Sequence, residues 1–158
     1  MTTRTKFVLI ALATGIPALV LTPILFPVNP AFPMPDASLM PHFLFIGTVE
    51  SLFFGFGVAF LLLGLPVMRR ISADTGVPAL PAYLAIGYLT ASWWPHLGLH
   101  RVFGTDLVGM LIVDYAFHIP YVVAAGVVAW FFFATSTSKA DRAARTPADL
   151  TTPAPAGA

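Results

Sequence analysis

The chain contains no cysteine and little charge: 8 Lys and Arg and 7 Asp and Glu among 158 residues, 9% of the whole. The first absence excludes disulfides, thiolate metal sites, iron–sulfur clusters and covalently attached c-type haem. The second, with a formal net charge of +1, removes the electrostatic reason to expect a nucleic-acid partner. Apolar residues fill the space, at 58% of the chain and a mean hydropathy of +0.85, well beyond what a soluble domain of this size carries. Apolar runs at 7–26, 43–67, 79–99 and 107–134 each approach or exceed the roughly 20 residues that cross a ~30 Å hydrocarbon core. The sequence therefore predicts an all-α membrane protein: four transmembrane helices in a bundle over 1–134, then a cytoplasmic tail, 135–158, too rich in Ala, Thr, Pro and charge to fold.

The cations give an orientation. Arg4 and Lys6 precede the first run, Arg69 and Arg70 lie between the second and third, and Lys139, Arg142 and Arg145 follow the fourth; Arg101 alone falls on the other side. The positive-inside rule then places both termini in the cytoplasm and the loops at 27–42 and 98–106 outside, with the cell membrane as the expected location. The first run is too long for the core of a signal peptide, and no small-residue cleavage site follows it, so it is read as a span.

Between the first two spans, Pro27, Pro30, Pro33, Pro35 and Pro41 favour a stiff, extended strap across the outer face. The second span carries Gly47, Ser51, Gly55 and Ala59 four apart, a row of small residues that lets another helix approach closely. Pro95 interrupts the third span. Either the helix kinks and continues to about Val102, or it stops at Trp94 and a short interfacial helix begins, with Trp93 and Trp94 at the headgroup level.

Ionisable residues inside the spans carry the functional information. An acidic side chain near a membrane centre costs roughly 2.5–3.5 kcal/mol on insertion scales, so Glu50 and Asp114 need a partner, a cavity or a pathway. Asp114, His118, Tyr121 and Ala125 share one stripe of the fourth span, while Pro120 deprives the Ala116 carbonyl of its helical donor. His96 and His100 share a face if their stretch is helical, and His42 lies about 80° around the second span from Glu50. At about 1.5 Å per residue, Glu50 and Asp114 each sit about 10 Å below the outer ends of their helices, so every buried ionisable group belongs to the outer half or the midplane. These residues predict a polar cup opening outward, built from Glu50, His96, His100, Asp114 and His118 with His42 at its rim.

Three functions fit such a cup. The leading one is a transition-metal site for Cu, Zn or Fe, because imidazole and carboxylate are the usual nitrogen and oxygen ligands and both His96/His100 and Asp114/His118 are i,i+4 pairs. Met34 and Met40 could add thioethers for Cu(I), and haem b is a variant that would need His96 and His118 as axial ligands. Asp-x-x-x-His resembles, at the level of the motif alone, a copper site of membrane monooxygenase subunits, but the second downstream histidine of that pattern is absent and no family follows from it. The second function is an intramembrane enzyme using Glu50, Asp114 and His118 for acid–base chemistry on a lipid-soluble substrate, its cavity lined by Tyr83, Tyr88, Trp93 and Tyr115. The third is an accessory subunit bound to a larger complex through Gly47, Ser51, Gly55 and Ala59.

Overall fold

A computed structural model describes residues 1–31 and 36–149, and these form helices and short connections with no strand. The elements are α1 (Thr3–Leu25), a 3-10 turn (Ala37–Leu39), α2 (Met40–Leu63), α3 (Leu65–Ala73), α4 (Ala79–Ala91), α5 (Trp93–Phe103) and α6 (Leu107–Asp149). Three stretches are long and apolar enough to cross a membrane: Thr3–Leu25, Ala37–Leu63 and Leu107–Ala144. Met34 and its neighbouring prolines at 33 and 35, the middle of the expected strap, lie outside the described residues, as do residues 150–158.

The predicted spans differ from these helices where proline or glycine intervenes. The second ends at Leu63, because Gly64 is followed by Pro66, which has no N–H for the Leu62 carbonyl. The stretch after it forms the short helix α3, with Arg69 and Arg70 on its exposed side and Met68 and Ser72 buried. The third span breaks at Ser92. Hydrogen bonds from Ser92 N to Tyr88 O and from His96 N to Ser92 O, both 3.0 Å, carry the chain across, so α4 and α5 are two limbs of one kinked segment.

The tail is also different from its expected disorder, since α6 continues without interruption through residues 135–149. Its composition explains this. Residues 139–145 are Lys, Ala, Asp, Arg, Ala, Ala and Arg, mostly strong helix formers, and Thr135 and Thr137 bond back to the preceding turn instead of capping a new one.

The helices pack as a row rather than a closed ring: α1 against α2, α2 against α4 and α4 against α6, with α5 between α2 and α6 and α3 against α4. Small residues make the row close. A Cβ on Gly55 would collide with the Ala11 carbonyl and come within 2.8 Å of Gly15 N, so this part of the small-residue row is occupied by α1 of the same chain. Gly57 lets α4 approach at Thr90 and Ala91, and Ala59 is fully buried. A compact core of Met68, Ala79, Ala82, Tyr83 and Phe131 closes the α3–α4–α6 end. By contrast α1 and the outer side of α6 are covered with exposed apolar residues, Val122 at 74% and Phe133 at 72% among them, a surface suited to lipid.

Hydroxyl groups on the spans are mostly satisfied locally. Thr14, Thr22, Thr48, Ser51, Thr90 and Thr135 each donate to the carbonyl four residues earlier at 2.7–2.9 Å. Bonded in this way, none of the six presents an unpaired donor to hydrocarbon.

Candidate metal centre

Two elements bring the candidate ligands together. Helix α5 is anchored on several sides by the first two helices and their connection. Asn29 donates its backbone N–H to Arg101 O at 3.0 Å and its side-chain amide to Val102 O at 3.2 Å, satisfying carbonyls that the end of α5 leaves open. The Trp94 indole N–H donates to Thr22 Oγ1 at 2.9 Å, and Gly98 admits the Phe26 ring where no Cβ would fit. Arg101 reaches Glu50 on α2, Nη2 to Oε2 3.6 Å, with the glutamate side chain only 7% exposed.

Held in this way, α5 presents His96 and His100 to the stripe of α6 that carries Asp114, His118 and Tyr121. That stripe is itself steadied by α4: the Tyr88 hydroxyl donates to Ala116 O at 3.4 Å, the carbonyl that Pro120 leaves without a helical donor. Ser92 Oγ, at the kink, meets Tyr121 Oη at 3.3 Å.

In the cluster His96 Nε2 and His100 Nε2 are 2.9 Å apart, and His100 Nε2 lies 3.7 Å from Asp114 Oδ1. One ligand atom from each of His96, His100 and Asp114 falls within 4.8 Å of the others, so this group could hold a metal ion. The spacing is chemically sensible. Tetrahedral ligands about 2.0–2.1 Å from a metal are separated from one another by roughly 3.3 Å, between the two distances found here. His118 adjoins the group rather than entering it, with Nδ1 3.3 Å from Asp114 Oδ1 and its ring 4.9 Å from that of His96.

The proton arrangement follows from burial. His96 is 6% exposed, and its Nδ1 is the buried side-chain nitrogen left without a partner among the described residues. A buried N–H with no acceptor costs roughly 1–3 kcal/mol, which assigns the His96 proton to Nε2, donated to His100 Nε2. His100 then carries its own proton on Nδ1, 3.2 Å from Met110 Sδ. A cation held by both Nε2 atoms would take the place of the hydrogen bond between them, with the His96 proton moved to Nδ1 so that the imidazole binds in its neutral form.

The structure distributes the other sequence candidates more widely. Glu50 is engaged with Arg101 and not with Asp114 or His118, and His42 is exposed at the start of α2 with no side-chain hydrogen bond to any described residue. Tyr83 belongs to the α3–α4–α6 core, where its hydroxyl donates to Leu61 O. Tyr88 and Trp93 do border the cluster, through contacts of each ring with Tyr121. The rings of His96 and His118 meet edge to face and leave no gap for a macrocycle between them.

Three contributors escaped the sequence reading: Arg101, Met110 and Ser92. Met110 was detectable in principle, one turn before Asp114 on the same stripe, and Arg101 signalled itself as the one cation on the outer side. The opening also differs from the cup expected at the outer end. The exposed members are Asp114 at 45% and His118 at 53%, on the flank of α6. Comparison with known proteins finds no matching family model, no similar curated protein and no similar solved structure.

Proposed function

We propose that this chain is a membrane metal-binding protein that holds one transition-metal ion, Cu, Zn or Fe, through His96, His100 and Asp114. The observation that carries this reading is the convergence of three nitrogen and oxygen ligand atoms within 4.8 Å, drawn from two helices and set in an apolar protein. Three protein ligands leave a coordination position free, the pattern of reactive metal sites rather than closed structural ones. His118 orients Asp114 from outside the group, as second-layer partners commonly do for ligating carboxylates. In the same reading α1, α2, the kinked α4–α5 segment and α6 make four crossings of the cell membrane in one bundle. Both termini are cytoplasmic, as the Lys and Arg distribution favours.

Elemental analysis of untagged protein purified in mild detergent without chelator tests the metal directly. The expected result is about one equivalent of Cu, Zn or Fe per chain, abolished by His96→Ala and by Asp114→Ala in variants that keep the helical circular dichroism of the parent. A parent chain that takes up none of the added metals would overturn the proposal, as would full metal retention in both variants.

A further inference from the structure

The metal group has a closed end and an open one. His96 is 6% exposed, whereas the side chains of Asp114 and His118 are exposed at 45% and 53%. The surface around the open end is apolar: Leu111, Tyr115, Ile119 and Val122 on the same helix are all more than half exposed. Counting about 1.5 Å per residue from Leu107, Asp114 and His118 lie about 10 and 16 Å along α6, well within a stretch apolar enough to span a membrane. The opening therefore faces hydrocarbon, sideways, and not the water at either end.

Polar side chains turned toward lipid are costly and in membrane proteins mark a ligand or a pathway. Here their hydrogen-bonding capacity is only partly used. His118 Nδ1 faces Asp114 Oδ1 at 3.3 Å, and with its proton there the neutral imidazole presents Nε2 as an acceptor. Nε2 of His118 and Oδ2 of Asp114 make no hydrogen bond with any described residue. Two acceptors side by side recognise a group that donates, and in hydrocarbon the abundant neutral donor is a hydroxyl. Aromatic surface lies next to them: Trp93 is 44% exposed with its ring 6.4 Å from that of His96, and Tyr115 adjoins Asp114 in sequence. Flat rings stack there readily.

We infer that the open side of the metal site binds a membrane-dissolved phenol, a lipophilic molecule whose ring hydroxyl donates to His118 Nε2 beside the metal's free coordination position. This rests on the metal-binding reading above and assigns it a ligand class. His118 is a recognition residue in this scheme, and Asp114 fixes the tautomer that makes it an acceptor.

The test uses the full chain in phosphatidylcholine nanodiscs loaded with Co(II), whose visible absorption reports its ligands. Two probes are titrated: 4-nonylphenol and its methyl ether, 4-nonylanisole, which has the same shape and solubility class but no donor. The expected result is a saturable change in the Co(II) spectrum with the phenol and binding about ten-fold weaker for the ether, the ratio that one hydrogen bond supplies. In His118→Phe, which keeps all three metal ligands, Asp114 loses its orienting partner and Co(II) is bound about 10–100-fold more weakly, so the probes are titrated at saturating Co(II), where the preference for the phenol should disappear. Equal responses to the two probes, no response to either, or a preference that survives His118→Phe would each overturn the ligand assignment while leaving the metal site standing. A parent protein that binds no Co(II), nor any of the metals above, would overturn the metal site and this inference with it.

Discussion

Arg101→Met isolates the one ion pair that ties the ligand-bearing helix α5 to α2. At 3.6 Å and an effective dielectric of about 20, unit charges attract by about 4–5 kcal/mol, before any loss to solvation of the 28%-exposed arginine. Removing the cation leaves Glu50, 7% exposed, without that attraction, and breaking such a pair on one side costs about 3–5 kcal/mol. Replacing both partners is different in kind, because the desolvation of both charges disappears together with their attraction. The expected outcome is a loss of about 3 kcal/mol for Arg101→Met, a comparable loss for Glu50→Met, and a double variant within about 1 kcal/mol of the parent. Reversible unfolding from mild detergent into dodecyl sulfate, followed by tryptophan fluorescence and by circular dichroism, measures all four corners of the cycle. If the double variant loses the sum of the two single losses, the charges do not interact and the account of how α5 is held is wrong.

Two further outcomes test the packing. Gly55→Leu is expected to cost at least about 1–3 kcal/mol, the usual range for overpacking, because its Cβ would collide with α1; Gly126→Leu, with no heavy atom within 4 Å of the new Cβ, should cost nothing in the same unfolding assay. Tyr88→Phe is expected to lose about 0.6 kcal/mol, typical of a hydrogen bond between membrane helices. In a Pro120→Ala background the same change should lose almost none, because residue 120 then has a backbone N–H to donate to the Ala116 carbonyl.

Much of the fold was legible because hydrophobic length and helical period are local properties. Three of the four apolar runs became helices of crossing length while the run at 79–99 broke into α4 and α5, and spacing alone put Asp114, His118 and Tyr121 on one stripe of α6. The kink near Pro95 was legible as a choice between two arrangements, and the tertiary anchoring of α5 by Asn29, Thr22 and Glu50 supplies what a local reading lacks. Partner choice across helices was the illegible part. Depth placed Glu50 level with Asp114, but depth carries no azimuth, and α2 turns Glu50 toward Arg101 instead of toward the histidines. The row Gly47, Ser51, Gly55 and Ala59 announced a close neighbour without saying that Gly55 would meet α1 of the same chain.

The local satisfaction of the hydroxyls bears on biogenesis. A threonine that has already bonded its own helix four residues back asks nothing of a neighbour, so such helices can enter lipid one at a time and associate afterwards. Asp114 and His118 follow the same rule as a pair within α6. Glu50 and Arg101 do not, since each finds its opposite charge on another helix. During synthesis, then, Glu50 has no cationic partner until the chain has been made at least as far as residue 101, and the meeting of those two side chains is the event that a stalled nascent chain would reveal.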